Sequence, residues 1–319
     1  MKLGIALGGG AAKGFAHIGI LKTFQNAGIE FDIVTGTSIG ALVGAVYAAG
    51  NLSELEAQAI DVSIADIPML LSPALSKSGF LSGKNVLELL SVIIGVKNIE
   101  DLPKKFAAVS VDLISGKLQV HTSGDLEQAV RASIAIPVVF TPVETQEMIL
   151  VDGGLLEPVP VEQCRALGAD FVIAVDLFGV EGSSGERDNK DSNLEESVRT
   201  SSKLLKKKLF PKELQSALDY FRSASEKLPI PEFLPVGKRN SKPRHSLNLI
   251  EIMESTLAIS QRSLTAARLA EHPADILIQP PVAEIGSLDF HRAKPVIELG
   301  EIAAKSAIEK LRSLSILQV

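Results

Sequence analysis

Twice within its first fifty residues the chain passes from a short apolar run, through a glycine-rich turn, into a helix-like pattern. Residues 2–7 lead through Gly8-Gly9-Gly10-Ala11-Ala12-Lys13-Gly14 into residues 15–27, and residues 31–34 lead through Gly36-Thr37-Ser38-Ile39-Gly40 into an apolar helical stretch ending near residue 49. A strand that hands over to a helix in so few residues belongs to a βαβ unit, whose next strand is parallel to the first and whose helix covers the sheet. The spacing therefore predicts a three-layer α/β/α fold around a mainly parallel central sheet.

The rest of the chain continues the alternation. Strands are predicted over residues 106–113, 117–121, 148–151, 171–175 and 275–278, and helices over 125–133, 161–167, 247–270 and 293–311. Ser53-Glu54-Leu55-Glu56 has the form of a reciprocal capping box, with Ser53 as the N-cap of a further helix. Between about residues 180 and 245 the composition turns polar and charged, and sheet-type patterning resumes only near Asp275. We read residues 1–319 as one domain with an insertion or cap at about 180–245.

Composition narrows the partners. A 46% hydrophobic content supports a large core, and 32 basic against 38 acidic side chains leave no basic excess for nucleic acid. A single cysteine, Cys164, forms no internal disulfide and builds no thiolate zinc site, as expected of a cytoplasmic protein, and its setting on a helix reads as burial. The apolar run at the N-terminus is too short for a secretion signal, and the stretch 39–50 falls short of the roughly 20 residues that span a bilayer. Membrane contact is thus expected to be peripheral. Lys203, Lys206, Lys207, Lys208 and Lys212, set among leucines and a phenylalanine, offer a surface for anionic lipid, with a solvated charged helix as the alternative.

The second turn has the G-x-S-x-G form. Glycines two positions either side of Ser38 remove the Cβ atoms that would crowd a sharp strand-to-helix turn and leave the hydroxyl exposed, as a nucleophile needs. A helix N-cap serine is the plain alternative. Serine needs a proton acceptor to attack at neutral pH. None of His17, His121, His245, His272 and His291 stands beside a glycine turn, whereas Asp152, in Val151-Asp152-Gly153-Gly154, follows an apolar run and opens such a turn. The first glycine loop opens a helix and offers backbone N–H groups to an oxyanion. The set reads as acyl transfer: Ser38 as nucleophile, Asp152 as base, and Gly8, Gly9, Gly10 and Ile39 around the oxyanion hole. Lys13, Gly14, Gly36, Gly40, Gly153 and Gly154 support these motifs. Lys13 bonds loop carbonyls, meets a lipid phosphate or is simply solvated, while Arg131 reads as structural.

These residues resemble the patatin-like phospholipase family, and within it the bacterial proteins related to the catalytic domain of neuropathy target esterase. The glycine loop, the serine turn and the Asp-Gly-Gly turn are each similar to a family motif, and so is Arg131-Ala132-Ser133-Ile134-Ala135-Ile136-Pro137 between them. The resemblance implies a serine–aspartate lipid acyl hydrolase acting on phospholipid or lysophospholipid esters, with no cofactor and no metal. After Asp-Gly-Gly this chain has Leu155-Leu156-Glu157-Pro158 where family members often place asparagine. The rival readings are an acyltransferase using the same pair, a histidine triad through His272 or His291, a non-catalytic regulatory protein, and a nucleotide-binding protein whose G-x-G-x-x-G or G-x-x-x-x-G-K-[ST] pattern this loop does not meet.

Overall fold

The computed structural model describes residues 1–63, 66–67, 79–179 and 249–313, all of which lie in one compact unit. The expected insertion and its five lysines lie outside them.

Along the chain the described elements are β1 (Leu3–Leu7), α1 (Phe15–Asn26), β2 (Ile33–Thr37), α2 (Ile39–Ala49), α3 (Leu52–Asp61), β3 (Gly79–Leu81) and α4 (Lys84–Ile94). There follow β4 (Lys105–Asp112), β5 (Lys117–His121), α5 (Leu126–Ser133), β6 (Val138–Phe140), β7 (Val143–Glu144) and β8 (Ile149–Asp152). The last are α6 (Val161–Ala166), β9 (Phe171–Val175), α7 (Leu249–Glu271), β10 (Ile276–Ile278) and α8 (Ala293–Ser313). Strands β10, β9, β1, β2 and β4 form the parallel body of the sheet, and β5, β8 and β7 add to it antiparallel. The mainly parallel α/β architecture is as the alternation predicts. Both faces of β1 are buried, as helices on each side of a parallel sheet require.

The small pieces were not predicted. β3 pairs with β6 as a separate two-stranded ribbon, and α4 packs its Leu87, Leu90, Ile93 and Ile94 into the core. The capping box at Ser53 is also corrected: α3 begins at Leu52 with Asn51 as N-cap, and the cap makes no side-chain hydrogen bond. Asn51 instead donates its amide to the Ile93 carbonyl at 2.6 Å, because joining α3 to the end of α4 satisfies a buried carbonyl that a local cap would not reach.

One feature of the sheet positions the site. β2 pairs with β4 through Thr37 opposite Val109, while β8 pairs with β4 from Ser110 opposite Asp152 to Asp112 opposite Leu150. β5 pairs with β4 from Ala108 to Asp112 and so overlaps both, which puts β2 and β8 on the same edge of β4, opposite β5. On that edge β2 runs with β4 and β8 runs against it. Their C-terminal ends therefore meet head to head, with Ser38 just past one end and Asp152 at the other.

Candidate active site

Ser38 adopts φ 55° and ψ −124°, a conformation rarely open to a residue with a side chain. β2 turns into α2 in a single residue, and the two glycines make room for that. A Cβ on Gly36 would strike the Ala41 backbone, and one on Gly40 would strike the Leu7 carbonyl. The strain is held by the surroundings: the Ser38 carbonyl accepts from the N–H groups of Ala41 (2.9 Å) and Leu42 (3.2 Å), and its own N–H donates to Ser133 Oγ (2.9 Å). Ser38 makes no side-chain cap bond to α2, so it does not act as a plain N-cap. Its side chain instead lies close enough to the Asp152 carboxylate to favour the ionised carboxyl.

Asp152 is 3% exposed, and its Oδ1 accepts the Gly154 N–H at 2.8 Å. Burial pushes the carboxyl up to about 6, against the opposing pull of the Ser38 side chain and the Gly154 N–H. A carboxylate raised this far is a stronger base than an aspartate in water and is still mostly ionised at neutral pH.

The glycine loop divides its donors between two tasks. The Gly8 N–H donates to the Val175 carbonyl (2.9 Å) and the Gly9 N–H to the Pro158 carbonyl (3.0 Å), so both are engaged in holding the loop against its neighbours. Among the described residues, the N–H groups of Gly10, Ala11 and Ile39 have no such acceptor. Gly9 lies beside Ser38, where an added Cβ would make only an ordinary contact with Ser38 Cβ at 3.5 Å. Ala11, at φ 49°, was not singled out from the sequence. Its signal was its place directly after three glycines at the opening of a helix.

Behind the loop lies His17, which is fully buried. Its Nε2 is 2.8 Å from the Gly8 carbonyl, and a carbonyl only accepts, so Nε2 carries the proton and Nδ1 is left as a lone pair without a hydrogen-bond partner. Burial lowers the imidazole to about 4, so the ring is neutral at physiological pH. Lys13 lies 4.9 Å from the centre of the Phe178 ring, and no hydrogen bond from it to a loop carbonyl occurs. Burial and the Arg262 charge lower its ammonium, and Asp176 works against them. Gly14 lets the loop close on Ile39, since a Cβ there would overlap the Ile39 side chain, and Gly153 and Gly154 pack as tightly against Val109 and Gln261.

The segment after Asp152 bonds through its backbone. The Glu157 carbonyl accepts from Thr37 Oγ1 (2.8 Å) and the Pro160 carbonyl from Thr35 Oγ1 (2.9 Å), so two buried threonines of β2 tie down the turn that also receives Gly9. The Glu157 carboxylate meets Arg268 of α7 at 2.5 Å. Arg131 donates to the Ser82 carbonyl (2.9 Å) and to Thr141 (2.6 and 2.8 Å), as a structural arginine would. His272 faces Glu162 and Glu271. Neither His272 nor His291 has a hydrogen bond to Ser38 or Asp152. Cys164 is buried, and burial pushes its thiol up to about 12.

Beside Ser38 opens a cleft of about 140 Å³ whose walls include Ile39, Leu42, Leu55, Ile134 and Phe140. Apart from Ser38 and Gln58 its lining is apolar. Among the described residues no helix is long and apolar enough to cross a membrane.

Comparison with known proteins agrees with this arrangement. The family described as Patatin-like phospholipase matches residues 5–165, which hold the glycine loop, Ser38 and Asp152. An NTE family protein of Mycobacterium bovis is 34% identical over 331 residues, covering 97% of this chain and 91% of that protein. A second from the same organism is 30% identical over 308 residues, covering 96% of this chain but 46% of its own length. Lysophospholipase NTE1 of Yarrowia lipolytica is 26% identical over 326 residues, which take in 97% of this chain and 20% of that much longer protein. On the match of half its length and the identity along nearly all of it, the chain belongs to the patatin-like phospholipase family, among its NTE members, and is an enzyme.

Proposed function

We propose that the protein hydrolyses carboxylic esters of phospholipids or lysophospholipids through an acyl-serine intermediate, with Ser38 as nucleophile and Asp152 as its base. As Ser38 Oγ bonds to the ester carbon, its proton passes to the Asp152 carboxylate and the carbonyl π electrons move to oxygen. The N–H groups of Gly10, Ala11 and Ile39 are the donors available to that oxyanion. The intermediate then collapses, the bond to the leaving alcohol breaks, and Asp152 returns the proton to the departing oxygen. Water, deprotonated by Asp152 in turn, attacks the acyl-serine, releases the fatty acid and restores the hydroxyl. The cleft beside Ser38, apolar but for Ser38 and Gln58, suits the acyl chain rather than a polar head group.

The observation that carries this reading is a serine held at φ 55° whose side chain acts on a buried carboxyl raised to about 6, where the C-terminal ends of β2 and β8 meet. Fluorophosphonate labelling tests it. A covalent adduct on Ser38, lost in Ser38→Ala and strongly diminished in Asp152→Asn, is expected. An unlabelled wild-type protein that also turns over no lipid ester would overturn it.

A further inference from the structure

Two clefts flank Leu90 of α4. The inner cleft, beside Ser38, takes Val86, Leu89 and Leu90 from α4 and Ile134 from just past the end of α5. The outer one, of about 380 Å³, takes Leu87, Leu90, Ser91 and Ile94 from α4 and Leu126 and Val130 from α5. Passing from inner to outer, the α4 lining turns from Val86 and Leu89 to Leu87, Ser91 and Ile94, about a quarter of a turn around the helix. The two clefts thus lie on adjacent faces of α4, one on either side of Leu90. Leu90 is the residue common to both, and it is 4% exposed.

We propose that Leu90 is the wall that sets how long an acyl chain the protein accepts, and that the outer cleft is a distal subsite for the far end of a long aliphatic chain. The proposal rests on the acyl-serine reading above and deepens it. An apolar cavity of about 150 Å³ holds a molecule the size of benzene, so the inner cleft takes about six carbons. A longer chain reaches Leu90 and has to displace its side chain to continue. Beyond it the outer cleft is apolar along Leu87, Ile94 and Val130, and it reaches water beside Lys97, Asp125 and Glu127. Each further methylene buried there favours binding by about fourfold.

The test is the ratio of kcat/KM for p-nitrophenyl dodecanoate to that for p-nitrophenyl butanoate, both presented as monomers. Leu90→Ala joins the two clefts and is expected to raise the ratio about tenfold or more, while Leu90→Phe, which thickens the wall, is expected to lower it. Adding Ser91→Phe to Leu90→Ala refills the outer cleft and is expected to cancel the gain. A ratio unmoved by both substitutions at Leu90, or a gain that survives Ser91→Phe, would overturn the proposal. If Leu90→Ala fails to fold, Leu90→Phe still decides. Fluorophosphonate labelling of Ser38 in each variant separates this from failure of the reading beneath it: labelled protein with an unmoved ratio sinks the role of Leu90 alone, whereas absence of labelling and of ester turnover in the wild type sinks both.

Discussion

The hydroxyl of Ser133 accepts the backbone N–H of Ser38 at 2.9 Å, joining the end of α5 to the strained turn across 95 positions of chain. Ser133 is fully buried, so water does not readily take its place. Ser133→Ala leaves the Ser38 N–H without an acceptor, at a cost of about 1–3 kcal/mol. We expect kcat to fall about 10-fold to 100-fold with KM little changed, because the nucleophile is displaced while the acyl cleft is intact. Steady-state kinetics below the melting temperature would check this, and a variant that lost stability but kept kcat would make Ser133 structural only.

On the proposed mechanism Asp152 gives the activity its acid limb. As a base it works only when ionised, so kcat/KM should rise with pH, close to tenfold per unit below about 6, and then level off. Stability runs the other way. A carboxyl whose folded value is raised from 3.8 to about 6 holds its proton longer in the folded state, so its contribution is complete below 3.8 and is lost as pH rises through about 6. Asp152→Asn should therefore be inactive yet more stable than the wild type above pH 6, by up to about 3 kcal/mol, with the gain vanishing near pH 4. Urea denaturation at several pH values reads this directly.

His17 should act on the glycine loop without touching substrate. Its imidazole is lowered to about 4 by burial, so the stability it contributes is complete above 6.5 and is lost as pH falls from 6.5 toward 4, by up to about 3 kcal/mol. His17→Gln, whose amide can donate to the Gly8 carbonyl, should flatten that slope and keep most of the turnover. His17→Ala should lower kcat about tenfold or more, because the Gly8 carbonyl loses its donor and the loop loses its anchor. Equal kcat for the two variants would show that the hydrogen bond does not matter to the loop.

Arg268 is the partner that lets Glu157 be charged and buried. The Glu157 side chain is 2% exposed and the arginine 24%, so removal of the arginine strands a carboxylate next to the backbone that holds Thr37 and the glycine loop. Arg268→Ala should destabilise by about 3 kcal/mol, and Arg268→Met with Glu157→Met should recover most of the loss. A double variant no better than the single one would mean that the helix contact, not the ion pair, is what counts.

Much of this was legible in the sequence for local reasons. A strand, a glycine turn and a helix are each set by residues within a few positions, so β1 and β2, with the turns around Ser38 and Asp152, could be read from spacing alone. Misreadings arose where distant partners compete with local ones. Ser53 has the local form of a cap, but α3 starts earlier because Asn51 reaches Ile93 in another helix. Gly8 and Gly9 have the form of oxyanion donors, but carbonyls at Val175 and Pro158, far along the chain, take their hydrogens, whereas the N–H groups of Gly10, Ala11 and Ile39 have no such acceptor among the described residues. His17 looked unremarkable because its role depends on a carbonyl nine residues back, reached only when the loop folds over it.

The sequence by itself determined the kinds of group available and the turns on which they ride: a serine between spaced glycines, an aspartate at a strand end, a run of glycines before a helix. Only the tertiary structure decided that they meet. β2 and β8 share one edge of β4 and run toward each other, so the ends that carry Ser38 and Asp152 meet beside Val109 and Ser110. That pairing is a matter of strand register between segments separated by many residues, and strands such as β1 and β2, buried on both faces, lack the apolar–polar alternation that would mark it in the sequence.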